Sequence, residues 1–321
     1  HISMSIKSYW DDLMDLVIVG SFAYDSVETP AGTSENELGG SGSYGGFSAA
    51  FHARLDGKPE IGIIGVVGED FLDEHLEWYR ESGLDIQGID VQPGKTFKWI
   101  GSYQGKMDQA VTHDTQLNVF ESFSPVVPEL YNSPKVLVCA NLHPDLQASV
   151  LNQAKARRVS ILDSMNLWIN IARKSLEEVI KRVDILILND EEVRMLTADD
   201  NLIRASQTLL SMKDGGILVV KKGENGVIAF HPDGIISIPS YPTINQVDPT
   251  GCGDSFAGAM AQKLATGEGE ISVHELMESL VSATVTASFT IESFGTDKIR
   301  NLQPHEYYER LKHYRMITKT S

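Results

Sequence analysis

The chain has 321 residues, and its 27 Lys and Arg against 44 Asp and Glu give a formal net charge of −17. A surface this acidic repels phosphate backbones and anionic lipid head groups, so we expect neither nucleic acid nor a membrane surface as a partner. The two cysteines, Cys139 and Cys252, exclude a disulfide framework. No apolar stretch is long enough to cross a bilayer, and residues 1–10 lack the apolar segment of a secretory signal. These features predict a cytoplasmic globular protein.

Between Leu16 and Val220, short apolar runs alternate with longer amphipathic stretches. The runs predicted as strands are Leu16–Gly20, Ile61–Val67, Val136–Ala140, Val159–Asp163, Asp184–Leu188 and Ile217–Val220. The stretches predicted as helices are Ser43–Leu55, Phe71–Glu81, Asp145–Ala156, Ser175–Arg182 and Leu202–Met212. Uniformly apolar strands that alternate with helices are typical of a parallel sheet covered on both faces. We therefore predict an α/β fold with a central, mostly parallel sheet.

The pattern changes after Gly226. Val227–Phe230 and Ile235–Ile238 flank a His-Pro-Asp-Gly sequence, which predicts a hairpin. Three further helices are predicted at Ser255–Ala265, Val273–Ile291 and His305–Tyr314.

A β-rich insertion interrupts the alternation. Thr96–Tyr103 and Ala110–Phe120 are rich in β-branched and aromatic residues and have no helix between them. We predict an antiparallel ribbon there, joined by Ser26–Thr33, which projects from the main sheet as an active-site lid. An edge hairpin without a role in binding is the alternative. The domain prediction is one domain over residues 1–321, with lid segments at about 22–38 and 93–121.

The segment Asp248–Gly258 carries the strongest chemical signal. Its sequence is Asp-Pro-Thr-Gly-Cys-Gly-Asp-Ser-Phe-Ala-Gly, a tight turn followed at once by a helical pattern. Helix N-termini present unpaired N–H groups, and glycines let that backbone approach an anion closely, so Gly251–Gly253 can cradle a phosphoryl group. A carboxylate beside a phosphate suits a base that accepts a proton from an attacking hydroxyl, which is the role predicted for Asp254. The alternative is that Asp254 merely caps the helix.

This segment resembles the C-terminal signature of the ribokinase/PfkB family of carbohydrate and nucleoside kinases, written D-T-x-G-A-G-D. The resemblance runs from about Leu16 to Thr296. It implies a ribokinase-like fold with a β-lid, and ATP-dependent transfer of the γ-phosphoryl group to a hydroxymethyl group of a sugar or nucleoside, with Mg²⁺. By the same resemblance Gly251, Cys252 and Gly253 form the anion hole, and Cys252 stands where Ala is usual.

The acceptor half of the site is also implied by this resemblance. Gly20-Ser21-Phe22-Ala23-Tyr24-Asp25 is similar to the family's first strand and its sugar-binding Asp, although a lone Asp more often satisfies its own backbone in a turn. Gly39 and Gly40 resemble the di-glycine segment that lines the acceptor pocket. Tyr44 stands where ribokinase has a sugar-binding Asn, and Ser41 replaces a Lys, so ribose itself is in question as acceptor.

The nucleotide half of the site is implied by two shorter motifs. Asn189-Asp190-Glu191-Glu192 resembles the family's N-x-x-E element, so Asn189 and Glu192 are expected to hold Mg²⁺ through waters; acidic residues that only favour the helix dipole are the alternative. Gly223-Glu224-Asn225-Gly226 resembles the nucleotide loop, and an ordinary turn is the alternative. The ATP-binding residues predicted are Asn189, Glu192, Lys222, Gly223 and Gly226, with Lys221 as the other lysine able to reach a phosphate.

Two further features follow from the resemblance. Many family members bind K⁺ near the anion hole, and Asp248 with a loop at Gly295-Thr296 matches that site. A homodimer formed through the lid is also expected.

Three other interpretations are open at this point. Gly40–Gly45 satisfies G-x-G-x-x-G and therefore allows an NAD(P) oxidoreductase, but that motif needs a strand directly before it and none is predicted there. Cys252 at a helix N-terminus allows a thiolate nucleophile. A kinase-like sensor that binds nucleotide without turnover is the non-enzymatic alternative, against which Asp254 argues.

Overall fold

The computed structural model describes residues 13–57 and 59–319, so the expectation drawn from residues 1–10 lies outside the described residues. The strands are β1 (Leu16–Val19), β2 (Ala23–Thr29), β3 (Gly32–Gly39), β4 (Ile61–Gly68), β5 (Leu84–Gln92), β6 (Phe97–Tyr103), β7 (Ala110–Gln116), β8 (Val136–Cys139), β9 (Val159–Asp163), β10 (Ile185–Asn189), β11 (Ile217–Lys221), β12 (Val227–His231) and β13 (Gly234–Ile238). The α-helices are α1 (Ser41–Leu55), α2 (Asp73–Glu81), α3 (Pro144–Gln153), α4 (Asn166–Ile171), α5 (Arg173–Ile180), α6 (Asp190–Thr197), α7 (Leu202–Met212), α8 (Cys252–Thr266), α9 (Val273–Thr290), α10 (Asp297–Asn301) and α11 (Pro304–Thr318).

Nine strands form the main sheet, in the order β13-β12-β11-β10-β9-β8-β1-β4-β5. Neighbours from β5 to β11 pair in parallel, and the hairpin β12–β13 closes the edge in antiparallel fashion. The mostly parallel sheet predicted from the apolar runs is thereby confirmed, including the terminal hairpin.

Helices cover both faces of this sheet because its strands are apolar on both sides. In β1, Leu16 and Ile18 pack into one core with α1, α8 and α9, whereas Val17 and Val19 pack into the other with α3, α5, α6 and α7. Every residue of β1 is buried, as expected for a central parallel strand. Within residues 13–57 and 59–319, no helix combines the length and the apolar character that a membrane span requires.

A second sheet of four strands, in the order β3-β2-β6-β7, stands on the main one. β6 and β7 pair in antiparallel fashion, and β2 pairs with β6 in parallel and with β3 in antiparallel fashion. Ser26–Thr33 joins the ribbon as predicted: it comprises the end of β2, the turn of the β2–β3 hairpin and the start of β3, and Ser26–Glu28 pair with β6. The end of this hairpin is fixed to the main body, since Thr29 Oγ1 donates to the Val247 carbonyl over 2.7 Å.

The edge strand β5 was missing from the prediction. Its sequence, Leu-Asp-Ile-Gln-Gly-Ile-Asp-Val-Gln, alternates apolar and polar residues, and most of its side chains are partly or fully exposed. A search for uniformly apolar runs finds strands buried on both faces and overlooks a strand that has a neighbour on one side only.

Close packing of α1 on α8 brings the N-termini of these two helices together. A Cβ at Gly258 would collide with the Gly45 backbone, and a Cβ at Gly45 would lie 3.5 Å from the Asp254 carbonyl oxygen. Because these two glycines have no side chains, the turn after Gly39 and the turn before Asp254 meet at one edge of the sheet.

Candidate active site

Three neighbouring strands end in polar side chains at the carboxyl edge of the main sheet. β9 ends at Asp163, β10 at Asn189 and β11 at Lys221, and Asn189 lies opposite Lys221 in the register. The carboxyl edge of an open parallel sheet is where ligands bind in α/β folds.

The N-terminus of α8 is built by the turn Asp248–Gly251. Gly251 is the N-cap residue with φ of 77°, in the left-handed region, and no side chain caps the helix. A Cβ at Gly251 would collide with the ring of Tyr44, so the glycine backbone lies directly on that ring. The Cys252 N–H donates to the Pro249 carbonyl over 3.2 Å, whereas Gly253 and Asp254 fall in the first turn, where helix N–H groups have no intrahelical partner.

Asp254 is the third residue of α8, so the helix-cap alternative for this residue is wrong: the cap position belongs to Gly251. The pKa of Asp254 is raised to about 7, mainly by burial and also by the Asp163 carboxylate, against the lowering effect of the Lys221 ammonium. A carboxyl group with a pKa near neutrality is suited to accepting a proton at physiological pH.

Lys221, rather than Lys222, lies against this helix. Its Nζ is 3.1 Å from Asp163 Oδ2, and a Cβ added to Gly253 would lie 2.9 Å from the same nitrogen. Asp163 was not singled out from the sequence, although its position at the carboxyl end of a predicted strand is the signal that could have found it.

The predicted nucleotide loop follows β11. The Lys222 N–H donates to the Gly226 carbonyl over 2.8 Å, and residues Gly223–Asn225 form one turn of 3₁₀ helix. A Cβ at Gly223 would meet no atom within 4 Å, whereas one at Gly226 would collide with the end of β13. Gly223 therefore borders open space, and Gly226 is required by packing.

Asp25 lies on β2 of the second sheet, not at the end of the first strand, and its side chain is not in a turn. The residue is only 6% exposed, and a Cβ at Gly39 would collide with its carboxylate. The pKa of Asp25 is raised to about 8, mainly by burial and also by the carboxylates of Asp248 and Asp254, against the lowering effect of the hydrogen bond from the Gly40 N–H. Asp25, Gly39 and Gly40 are thus in contact, and the Asp254 carboxylate is near enough to raise the pKa of Asp25.

Two tyrosines complete this side of the site. The hydroxyl of Tyr44 is buried without a hydrogen-bond partner among the described residues. Burial raises its pKa, as do the surrounding carboxylates of Asp25 and Asp248. Tyr103 at the end of β6, which the sequence did not single out, receives a long 3.4 Å hydrogen bond from Thr250 Oγ1. The second sheet therefore reaches the turn before α8.

Asn189 and Glu192 form a capping box at the start of α6. Asn189 Oδ1 accepts from the Glu192 N–H, and Glu192 Oε2 accepts from the Asn189 N–H, both over 2.8 Å. Burial raises the pKa of Glu192 to about 7, although the Asn189 N–H and the Lys221 ammonium lower it. The two residues lie at the same edge as Lys221, but much of their hydrogen-bonding capacity is used to begin the helix.

Asp248 is buried, at 1% exposure, beneath the same turn. Its Oδ1 accepts from the Thr250 N–H over 2.9 Å, and burial raises its pKa. A Cβ at Gly295 would lie 2.9 Å from the Cβ of Glu37, and Glu37 in turn raises the pKa of Asp248. Gly295, Glu37 and Asp248 are therefore near one another.

The structure contradicts the thiolate interpretation of Cys252. Burial raises the pKa of this thiol, and the carboxylates of Asp248 and Asp254 raise it further, so the reactive thiolate is disfavoured. Strand β3 runs to Gly39, directly before Gly40–Gly45, so the prediction that no strand precedes this glycine motif is wrong. That strand belongs to the second sheet, however, and Gly42 and Gly45 lie inside α1, where they allow close packing.

The site combines a glycine-rich helix N-terminus with a carboxyl group of near-neutral pKa in its first turn, and the buried Asp25 carboxyl lies nearby. On an α/β fold this combination is typical of a small-molecule phosphotransferase. Residues 7–301 match the model of the pfkB family carbohydrate kinases, and the chain belongs to this family. It is an ATP-dependent kinase whose acceptor is an alcohol group of a sugar or nucleoside.

Individual relatives agree with this assignment. The chain is 30% identical to cytidine kinase of Thermococcus kodakarensis over 263 residues, which cover 79% of this chain and 90% of that protein. It is 26% identical to ribokinase of Lactococcus lactis over 257 residues, 79% of this chain and 80% of that one. The fold matches an E. coli protein named as a ribokinase II, solved with ATP and Mg²⁺, with a TM-score of 0.76 at 20% identity, covering 94% of this chain and 100% of that chain. The predicted ribokinase-like fold is confirmed, and the oxidoreductase and non-catalytic sensor interpretations are wrong.

Proposed function

We propose that Asp254 accepts the proton of a hydroxymethyl group on a sugar or nucleoside while that oxygen receives the γ-phosphoryl group of ATP. The observation that carries this proposal is the placement of Asp254 in the first turn of α8, beside the Gly251–Gly253 backbone, with a pKa raised to about 7. Backbone N–H groups of Gly251 and Gly253 bind the transferring group, and the Cys252 N–H joins them by leaving the Pro249 carbonyl.

Mg²⁺ bound to the nucleotide supplies positive charge that offsets the charge of the phosphate oxygens. Among the described residues, no group of three or more His, Cys, Asp or Glu side chains is arranged to hold a metal alone. This fits a Mg²⁺ ion held mainly by phosphates and waters, as is usual in kinases. Asn189 and Glu192 are proposed to contact such waters, and Lys222, Gly223 and Gly226 to border the nucleotide.

The acceptor is proposed to lie between Asp25, the Gly39-Gly40 backbone and Tyr44, beneath the second sheet acting as a lid. Asp25 can accept hydrogen bonds from two hydroxyl groups, and the unpartnered Tyr44 hydroxyl can donate one more. Vicinal hydroxyls of a ribosyl or hexose ring present donors in that arrangement.

The direct test is an ADP-release screen with Mg·ATP against a panel of sugars and nucleosides that includes cytidine, ribose and fructose. We expect ADP release that depends on both Mg²⁺ and an acceptor carrying a free hydroxymethyl group, with the phosphomonoester product identified by mass spectrometry. If no member of the panel raises ADP release above that with ATP alone, the proposed acceptor class is wrong.

Asp25→Asn is expected to separate the two halves of the site. Asparagine offers one acceptor oxygen where Asp25 offers two, so kcat/KM for the acceptor should fall by about tenfold or more, with the KM for ATP nearly unchanged. The folded state raises the pKa of Asp25 from 3.8 to about 8, so its ionisation destabilises the folded protein as the pH rises through that range. The melting temperature of the ligand-free variant should therefore exceed that of the wild type at pH 8 but match it near pH 4. Equal weakening of ATP and acceptor would mean that Asp25 is a structural residue.

Glu192→Gln is expected to raise the Mg²⁺ concentration needed for half-maximal activity. Glutamine preserves the capping box, so the helix should remain intact while one negative charge near the nucleotide phosphates is lost. Glu191→Gln, at the adjacent exposed position, is the matched control. Superimposable Mg²⁺ titrations for the Glu192 variant and the wild type would remove Glu192 from the metal's surroundings.

Three further assignments complete the proposal. A K⁺ ion near buried Asp248 and the Gly295-Thr296 loop would offset the negative charge of Asp248, and activity measured in KCl and in choline chloride tests this site.

A homodimer through the lid is supported by β7, which is exposed along its whole length at the sheet edge, and sedimentation velocity measures the oligomeric state. A cytoplasmic location is proposed on composition and is tested by cell fractionation.

A further inference from the structure

Lys221 brings a positive charge to the start of α8. Its Nζ lies 3.3 Å from Oδ1 and 3.1 Å from Oδ2 of Asp163. The same nitrogen would be 2.9 Å from a Cβ at Gly253, so the ammonium group lies directly beside the backbone of the phosphoryl-binding turn. The side chain of Asp163 is 4% exposed and that of Lys221 is 21% exposed, so the lysine is the member of the pair that an entering ligand can reach.

A phosphoryl group that binds here needs the positive charge of Lys221, because carboxylates surround the pair. The Lys221 ammonium lowers the pKa of both Asp254 and Glu192, while Asp163 raises the pKa of both. A γ-phosphoryl group that enters between these carboxylates adds further negative charge to a chain with net charge −17. Because an ammonium group has three N–H donors, Lys221 can keep one bond to Asp163 and donate another to a phosphoryl oxygen.

We propose that Lys221 is a further catalytic residue that binds the γ-phosphoryl oxygens of ATP beside Gly253, and that Asp163 is the positioning residue that holds it there. The proposal rests on the kinase reaction proposed above. In that step the acceptor hydroxyl gives its proton to Asp254 and its oxygen forms a bond to the γ-phosphorus. The bond from the γ-phosphorus to the β,γ-bridging oxygen breaks, and its electron pair leaves with ADP. Lys221 remains protonated throughout and stabilises the charge on the transferring oxygens.

The informative variant is Lys221→Met with Asp163→Asn. Lys221→Met alone leaves the buried Asp163 carboxylate unpaired and is expected to lower the melting temperature. The double variant removes one charge of each sign, so its melting temperature should return towards that of the wild type. A lysine that served only to neutralise Asp163 would also regain activity in this background, whereas a lysine that binds the phosphoryl group would not.

We expect the double variant to keep a kcat about 10²-fold or more below that of the wild type, as for the loss of one donor to a developing charge. In calorimetric titrations its affinity for β,γ-imido-ATP should fall about tenfold while that for ADP is unchanged, since only the former has a γ-phosphoryl group. Lys221→Arg should retain part of the imido-ATP affinity, and Lys312→Met, at an exposed lysine of α11, is the control that should resemble the wild type.

Two results would overturn the inference. One is a double variant that recovers both melting temperature and more than half of the wild-type kcat, and the other is imido-ATP binding equal to that of the wild type. The nucleotide titrations do not need an acceptor, so they decide the role of Lys221 separately from the kinase proposal. Loss of imido-ATP binding in a protein that phosphorylates no acceptor would support Lys221 and contradict the acceptor chemistry.

Discussion

Asp254→Asn is expected to lower kcat by about 10²–10⁴, the range that a positioned general base contributes. Asparagine keeps the shape and the position in the first turn of α8 but cannot accept the proton of the attacking hydroxyl. The KM for ATP should change little, because the phosphoryl-binding N–H groups belong to the backbone. Initial rates at saturating Mg·ATP and acceptor measure the effect.

The pH dependence gives an independent check on Asp254. The base must be ionised, so the wild-type kcat/KM for the acceptor should be low under acidic conditions and rise as the pH passes about 7, the pKa to which burial raises Asp254. Asp73→Asn, in the first turn of α2, is the control for a general effect of removing a helix-start carboxylate. A variant at position 254 that retains more than half of the wild-type kcat would show that Asp254 is not the base.

Gly251→Ala should abolish most activity, by about 10²-fold or more, the effect of losing one donor to a developing charge. Gly251 has φ of 77°, which costs an L-residue about 1–2 kcal/mol. The added methyl group would also collide with the ring of Tyr44. The turn must then move, and its backbone N–H groups are no longer directed at the γ-phosphoryl group.

Gly57→Ala separates backbone strain from this loss of geometry. Gly57 has φ of 93°, and a Cβ there would meet no atom within 4 Å, so the variant carries similar strain without a collision. It should lose some stability and keep its kcat. A folded Gly251→Ala protein with wild-type kcat would mean that this turn does not hold the transferring group, and circular dichroism with thermal melts establishes that both variants are folded.

The strands of the parallel sheet and the turn before α8 could both be predicted from the sequence, for the same physical reason. The strands of the parallel sheet are apolar on both faces, so Leu16–Val19 and Ile185–Leu188 can be predicted as strands from their composition alone. The turn Asp248–Gly251 can also be recognised from the sequence, since its proline and its glycine favour a tight turn and a helical pattern follows at once. Asp254 could therefore be proposed as the base from its neighbours in the chain.

Polar strands are harder to predict, because the composition of such a strand does not indicate which neighbour it pairs with. β3 contains Gly-Thr-Ser-Glu-Asn-Glu-Leu-Gly and is a strand only because β2 provides hydrogen-bond partners. Because β2 was not predicted as a separate strand, Asp25 was expected at the end of the first strand. It lies on β2, where the β2–β3 hairpin brings it against Gly39.

The sequence by itself determined the α/β class and the family resemblance and indicated the candidate base, because each depends on residues that are close together in the chain. Only the tertiary structure decided which charges surround that base. Asp163 and Lys221 are separated by 58 positions and meet because β9 and β11 both flank β10 and end at the same edge. The choice of Lys221 over Lys222 has the same origin, since β11 ends with Lys221 directed at the first turn of α8. Long-range electrostatics of this kind arises from the packing of distant segments, and no local pattern encodes it.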